Sequence, residues 1–170
     1  MSFYEEAVFQ PKKMLLNLGR WLDKAGEFAK TKSFEPDTLL TARLAPDQYP
    51  LLRQIQAACD SAKFPAARLA GKQAPSHPDT EQTMSEIRER VKVTVAYLET
   101  LSEADFAGAE TRKVKLPFLE GKVVVGSDYL MEMARPNFYF HVAMAYAILR
   151  HNGVELGKMD YIGAMPINEG

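Results

Sequence analysis

Residues 136–153, with the sequence PNFYFHVAMAYAILRHNG, decide the fold class of this chain. Pro136 suits the first turn of a helix, because its missing amide hydrogen has no intrahelical partner there, and Asn152 with Gly153 is a typical helix end. Between them, residues 138–149 are apolar except for His141. A membrane span needs about twenty apolar residues, and this run is shorter. The stretch therefore predicts a buried helix in the middle of a helical bundle.

Two other segments repeat apolar residues at steps of three and four, which is the spacing of one helix face. The earlier segment begins near Pro11, and its stripe is Met14, Leu18, Trp21, Ala25 and Phe28. The later segment follows Asp79 and Gln82, a pair that predicts a variant capping box at the start of the helix. Its stripe is Met84, Ile87, Val91, Val95, Leu98 and Leu101.

A less regular helical pattern lies between these two segments. Pro65 lacks the amide donor that a helix interior uses, so we expect it to kink or interrupt this helix, and Gly71 is expected to end it. Residues 31–46 mix proline, threonine and leucine, which indicates a linker with a short helical turn. The apolar positions of the helix are Leu51, Ile55, Ala58, Ala62 and Leu69.

Residues 113–125 change to strand character. Apolar side chains alternate at Val114, Leu116 and Phe118, a turn falls at residues 120–121, and residues 123–125 are three valines. This pattern predicts a β-hairpin. A short helix capped by Ser127 is expected to follow and to end before Pro136.

Together these patterns predict an all-α protein, namely an up-and-down four-helix bundle with a small β-hairpin inserted before the last helix. The chain has 170 residues, a length that suits one hydrophobic core. We therefore expect residues 1–170 to form a single helical-bundle domain.

Composition excludes several classes of protein. The chain carries 21 basic and 22 acidic residues, a net charge of -1, which disfavours nucleic acid or an anionic membrane as a partner. Cys59 is the only cysteine, so neither an intrachain disulfide nor a cysteine-rich metal site can form, and a reducing compartment fits best. Residues 1–13 include Glu5 and Glu6 where an export signal would carry positive charge. We expect a cytoplasmic protein with no nucleic-acid or membrane partner.

His141 is the most informative polar residue. An imidazole in an apolar helix must find a hydrogen-bond partner or bear a desolvation cost of about 1 to 3 kcal/mol. Asn137 lies one turn earlier on the same helix face, and Gln54 and Gln56 on the second helix are the nearest candidates to complete a polar cluster. Two interpretations stay open, a core histidine satisfied by a neighbour and a ligand-binding or catalytic histidine.

Other reactive residue types are interpreted as inert. His77 is expected to be an exposed loop residue, and His151 suits the end of the last helix because of the helix dipole. Cys59 has no basic neighbour nearer in sequence than Lys63, so nothing indicates a reactive thiol. The lysines of the hairpin are typical of protected strand edges, and the common enzyme motifs are absent from the sequence.

The last helix and several separate stretches resemble a bacterial family of unknown function within the DinB/YfiT-like superfamily. The resemblance covers nearly the whole chain and implies four main helices with inserted short elements, often in a homodimer. Members of the superfamily are similar to metal-dependent proteins with three histidines, one on the second helix and two spaced four apart on the last, and some to thiol-dependent S-transferases or hydrolases. The residues that carry the resemblance are Pro136 to His141, Ala145, Tyr146, Leu149 to Gly153, Leu156 to Lys158, Asp160, Tyr161, Gly163, Arg43 to Asp47, Gln54, Arg68 to Gly71, Pro75 and Asp79.

The resemblance places His141 at the final histidine of that pattern, with Asn137 where the other histidine of the last helix would stand. The second helix, residues 51–69, contains no histidine. One imidazole with neutral amides is a poor donor set for nickel or zinc, so we predict that the metal site is lost and no cofactor is bound.

Three functional hypotheses follow. The first is a dimeric bundle without the metal site that binds a small molecule in the residual cleft, with Asn137, His141 and Gln54 as candidate cleft residues. The second is a metal-dependent or thiol-dependent transferase or hydrolase of the DinB-like type, or a metal-free acid-base catalyst, using His141. The third is a purely structural dimer with a filled core.

Overall fold

The computed structural model describes residues 2–167 of the chain and is mostly helical. The small β-sheet consists of β1 (Lys113–Lys115) and β2 (Val123–Val125). The helices are α1 (Gln10–Lys32), α2 (Leu51–Leu69), α3 (Met84–Glu99), α4 (Gly126–Asp128), α5 (Arg135–His151) and α6 (Lys158–Ile162). Short 3-10 turns occupy Pro36–Thr41, Glu103–Phe106 and Ala109–Thr111, and π-helical turns occupy Glu5–Phe9 and Tyr129–Ala134.

The four long helices form the predicted bundle. Helix α2 packs mainly against α3 and α5, and α1 packs against the same two helices. The order around the bundle is therefore α1, α3, α2, α5, so the chain crosses a diagonal between α1 and α2 and again between α3 and α5. Within residues 2–167, none of the helices combines the length and the apolar character that a bilayer crossing requires.

The core is built from the predicted apolar stripes. In α1, the stripe from Met14 to Ala25 is buried and Phe28 is partly exposed near the helix end. In α3, every apolar residue of the stripe from Met84 to Leu98 is buried. These two helices follow the three-and-four spacing of their sequences.

The start of α3 differs from the prediction. The N-cap is Thr83, whose side chain accepts a hydrogen bond from the amide of Glu86, while the Glu86 carboxylate accepts from the amide of Thr83. This is a complete capping box. The pair Asp79 and Gln82 does not cap the helix, because the Asp79 carboxylate is bound by arginine side chains instead.

Prolines interrupt these helices less than the sequence predicts. Helix α2 continues through the buried Pro65 to its end before Gly71, which has a positive φ of 67°. The sequence also predicted an N-cap at Ser127 and a helix end before Pro136. Neither forms, because the chain is helical from Gly126 through His151. A π-helical turn precedes both Pro11 and Pro136. Its wider backbone accommodates the proline ring, which a regular α-helical turn would clash with.

The apolar sequence of α5 predicted a helix in the middle of the bundle, and this prediction is wrong. Helix α5 is one of four peripheral helices. Its inward face, which includes Phe138 and Val142, is buried. Its outward face carries Phe140, which is 51% exposed, and the partly exposed Met144 and Ala147. A helix in a four-helix bundle has its outer side uncovered, and here that side is apolar.

The hairpin forms as predicted. Strands β1 and β2 are antiparallel, with Val114 opposite Val124, and Gly121 in the turn has a positive φ of 73°. The amide of Gly126 donates to the carbonyl of Arg112, which attaches the end of the hairpin to the start of the last helical run. Gly126 also lies against the carbonyl oxygen of Ala109, so closely that a Cβ atom would overlap it.

Candidate functional site

A cavity of about 280 Å³ lies between α2 and the helical run that contains α5. On α2, its wall is one helix face, with Arg53, Ala57, Asp60, Phe64 and Arg68 at steps of three or four residues. On the opposite side, the wall residues recur at steps of four: Tyr129, Met133, Asn137 and His141. We call this cavity the cleft.

Three side-chain hydrogen bonds cross between the two walls. His141 Nδ1 lies 2.9 Å from Gln54 Oε1, Asn137 Nδ2 donates to Ser61 Oγ at 2.7 Å, and Arg68 Nη1 donates to the Tyr129 hydroxyl at 2.9 Å. Residue numbers rise along one wall as they fall along the other, so the walls are antiparallel. At a rise of about 1.5 Å per residue, the span from Gln54 to Arg68 makes the cleft roughly 21 Å long.

The environment of His141 fixes its tautomer. Gln54 is buried, and its Nε2 donates to the carbonyl of Tyr49 at 3.4 Å, which leaves its Oε1 to accept from His141. The proton of the neutral imidazole is therefore on Nδ1, and Nε2 keeps a free lone pair. Burial lowers the pKa of His141, and the nearby charge of Arg53 lowers it further. The imidazole is neutral near pH 7.

Aromatic rings hold the His141 ring in place. The ring of Tyr49 lies parallel to it, with centroids 6.5 Å apart and an interplanar angle of 11°. Phe140 contacts it edge-on at 5.3 Å. The guanidinium of Arg53 lies over the ring of Tyr49, 5.8 Å from its centroid. The imidazole is thus positioned by both a hydrogen bond and ring contacts.

The structure brings the three predicted cleft residues together, although in different roles. Asn137 and His141 line the cleft, whereas Gln54 is buried behind the imidazole and supports it. Gln56, the alternative partner, does not line the cleft, and its Nε2 donates at 2.8 Å to Glu81 in the loop before α3.

Arg68 is a cleft residue that the sequence analysis missed. Its guanidinium lies 5.4 Å from the ring centroid of Phe64 and 6.0 Å from that of Tyr129. Among the residues that the structure describes, no carboxylate lies within ion-pair distance of it. The sequence pattern that could have revealed Arg68 is its spacing from Arg53 and Phe64. These three residues share one face of α2, beside the apolar stripe.

A group of buried charges lies behind the cleft and was also missed. Lys63 and Arg90 have side chains only 1% exposed. Both contact Asp60, at 3.0 and 2.8 Å, and Arg90 also contacts Glu81 at 3.0 Å and Asp79 at 3.2 Å. We call this group the charge cluster. Asp60 belongs both to the charge cluster and to the wall of the cleft.

The remaining reactive residue types lie outside the cleft. Cys59 is buried, and burial raises the pKa of its thiol to about 12, so the thiol stays protonated. His77 is half-buried beside the charge cluster, not exposed as predicted, and burial followed by the charges of Lys63 and Arg90 lowers its pKa. His151 is exposed at the end of α5.

Comparison with known proteins identifies the family. The family model described as Domain of unknown function (DUF1993) matches residues 3–162. The chain belongs to the DUF1993 family. The crystal structure of a DinB family member protein from Shewanella denitrificans superposes on it with a TM-score of 0.95 and 50% sequence identity, covering 98% of this chain and 95% of that chain. No curated protein sequence matches the chain. The predicted DinB-like family and fold are confirmed.

The side chains of this DUF1993 protein do not fit the three-histidine metal site that the DinB-like resemblance implies. At the corresponding positions the donors are the imidazole of His141 and the amide of Asn137, whose nitrogen donates to Ser61. Nickel and zinc favour several imidazole, thiolate or carboxylate ligands, not neutral amides. Within the described range, no three His, Cys, Asp or Glu side chains gather as a metal-binding group.

Proposed function

We propose that this DUF1993 protein binds a small molecule in the cleft, without the three-histidine metal site of its superfamily. The observation that carries the proposal is the His141–Gln54 hydrogen bond, which presents a neutral imidazole with a free Nε2 at the wall of a cavity. A cavity of about 280 Å³ is at the lower end of the range for small-molecule pockets, which are typically about 300 to 1,000 Å³. A small metabolite suits that size better than a polymer.

The lining of the cleft supports this proposal. Small-molecule sites usually combine apolar and aromatic walls with a few convergent polar groups. Here the aromatic residues are Tyr49, Phe64 and Tyr129, and the polar groups include Asn137 and His141. Because these side chains are already held by hydrogen bonds and ring contacts, little ordering is needed when a ligand binds.

The test is a fragment titration followed by NMR. A library of small neutral, anionic and cationic fragments is added to the 15N-labelled protein, and backbone amide shifts are mapped. We expect binding fragments to perturb amides along residues 49–68 and 129–141. The His141→Gln variant should lose or change those shifts, whereas the exposed His151→Gln variant should not. Fragments that bind only elsewhere, or none that bind, would overturn the proposal.

An acid-base enzyme is the second candidate. This candidate is favoured by the state of His141, whose imidazole is neutral and has its proton on Nδ1. The free Nε2 can accept a proton, as a general base must. The measurement is hydrolysis of simple esters and transfer of a thiol to an electrophile by the wild-type protein and by His141→Gln. Activity that His141→Gln removes, and that rises with pH through the titration of His141, would support this candidate over simple binding.

The proposal includes one bundle domain, a homodimer and a cytoplasmic location. The apolar outward face of α5, with Phe140, Met144 and Ala147, is the surface that a second copy of the chain would cover. A reducing cytoplasm suits Cys59, because a buried free thiol needs no disulfide partner.

A further inference from the structure

We infer that the ligand of the cleft carries a carboxylate group, bound by Arg68, on a flat apolar body. This inference rests on the proposed binding function of the cleft and adds the chemical class of the ligand. It is carried by the arrangement of Arg68, Phe64 and Tyr129 at one end of the cleft.

The guanidinium of Arg68 is positioned but not neutralised. Its Cζ atom lies 5.4 Å from the ring centroid of Phe64 and 6.0 Å from that of Tyr129, and the Tyr129 hydroxyl accepts from Nη1. A guanidinium has five N–H groups, so four remain to donate to a ligand. A guanidinium edge matches the two oxygens of a carboxylate, which it binds through two parallel hydrogen bonds.

Arg68 differs in this respect from the other buried or half-buried cations near the cleft. Lys63 and Arg90, which are buried, are bound by Asp60, and the more exposed Arg53 is paired with Asp79. Arg68 has no carboxylate partner among residues 2–167. A ligand carboxylate would therefore supply the charge that the protein itself does not.

The charge balance of the cleft favours a monoanion. The charged side chains that line the cavity are Arg53, Arg68 and Asp60, two positive and one negative, so a ligand with one negative charge balances them. A phosphate monoester carries up to about two negative charges and three strong acceptor oxygens, more than one guanidinium edge satisfies. A carboxylate meets both conditions.

The body of the ligand is expected to be flat and apolar, with a hydrogen-bonding group at its far end. From Arg68, the cleft continues past Phe64 and Met133 toward the amide of Asn137 and the Nε2 of His141. A planar ring fits between aromatic walls through offset or edge contacts. The neutral imidazole accepts a hydrogen bond, so an N–H or O–H group is the expected far end.

The experiment compares matched probes by isothermal titration calorimetry and NMR. The probes are 2-naphthoate, its neutral amide 2-naphthamide, and 2-naphthyl phosphate. We expect 2-naphthoate to bind the cleft at least about tenfold more tightly than the amide, since hydrogen bonds between charged groups are the stronger class. Its affinity should fall with added salt, and that of the amide should not.

Variants assign the preference to Arg68. In Arg68→Gln the difference between 2-naphthoate and 2-naphthamide should disappear, and Arg68→Lys should retain only part of it because the planar guanidinium edge is lost. Arg150→Gln, which removes an exposed arginine at the end of α5, is the control and should leave the difference unchanged. If Arg68→Gln does not fold, the probe comparison and the salt dependence on the wild-type protein still decide the question.

The outcomes separate this inference from the proposal on which it rests. Equal binding of the acid and the amide in the cleft, or tighter binding of the phosphate, would overturn the carboxylate inference and leave small-molecule binding intact. A preference for the acid that Arg68→Gln leaves unchanged would overturn the role of Arg68. If neither these probes nor any library fragment binds the cleft, both the inference and the proposed function are overturned.

Discussion

His141 and Gln54, 87 residues apart in sequence, meet through a hydrogen bond of 2.9 Å between the imidazole Nδ1 and the amide Oε1. The bond joins the last long helix to the second one. In the superfamily that the sequence resembles, these helices share a metal ion. In this protein the side-chain amide of Gln54 on α2 orients the imidazole through Nδ1, and Nε2 is left free.

The first prediction concerns the pH dependence of stability. The pKa of His141 in the folded protein is below its ordinary value of 6.5, so below that pH the unfolded chain binds more protons than the folded one. The associated stability is present at neutral and alkaline pH and is lost as the pH falls from about 6.5. In urea unfolding between pH 8 and pH 5, His141→Gln should flatten this loss.

His77 provides a second, separate contribution to the same pH range, because its pKa is also lowered. The variant His77→Gln should flatten the curve independently, and the double variant should flatten it most. NMR titration of the two imidazoles checks the cause directly. A His141 imidazole that titrates above 6.5 in the folded protein would contradict the prediction.

The second prediction tests the support of the imidazole by Gln54. Replacing Gln54 by leucine removes the acceptor and leaves the Nδ1–H of a half-buried ring without a partner, which costs about 1 to 3 kcal/mol of unfolding free energy. Gln73→Leu, at an exposed loop position, is the control and should change stability by less than about 0.5 kcal/mol. Chemical denaturation measures both, and equal effects would refute the supporting role of Gln54.

The third prediction concerns the charge cluster. Replacing Arg90 by methionine leaves Glu81 without its buried cation and Asp60 with Lys63 alone, and breaking such a buried pair typically costs about 3 to 5 kcal/mol. Arg88→Met, two residues earlier on α3, removes a more exposed pair with Asp23 and should cost about 1 kcal/mol or less. Comparable losses for the two variants would mean that the charge cluster contributes little to stability.

The helices and their buried faces could be predicted from the sequence because burial follows periodicity. The stripe from Met84 to Leu98 is an example, and every position in it is buried. The capping box was assigned to the wrong pair, although Thr83 and Glu86 have the standard spacing and residue types of a capping box. That Asp79 is bound by Arg53 and Arg90 depends on tertiary structure.

The candidate site was only partly accessible to sequence reasoning. His141 stood out because it is polar within an apolar helix, and Gln54 was a candidate because it lies on the helix that packs against it. Arg68 carried no such signal, because a lone arginine on a helix is usually solvated surface. Its contacts with Phe64 and Tyr129 depend on the antiparallel alignment of two distant segments.

The fourth prediction concerns the homodimer. If a second copy covers the outward face of α5, then Phe140→Glu introduces a charge into that interface and should shift the protein to a monomer. Sedimentation equilibrium at several concentrations measures the mass. Phe118→Glu, at an exposed hairpin residue, is the matched control and should leave the mass unchanged. A wild-type protein that is monomeric at all concentrations would refute the dimer.

The final prediction compares two glycines, one with a close backbone neighbour and one with open space where a side chain would be. At Gly126 a methyl group would overlap the carbonyl oxygen of Ala109, a backbone atom that cannot rotate away, so Gly126→Ala should destabilise the protein by about 1 to 3 kcal/mol or more. At Gly19, inside α1, a methyl group meets nothing within 4 Å, and alanine there should stabilise the helix by about 0.5 to 1 kcal/mol. Thermal and urea unfolding of both variants give the two signs. Because the same substitution is made in both places, opposite signs isolate the close contact between the turn at Ala109–Thr111 and the start of the last helical run. Equal signs would mean that this contact relaxes at no cost.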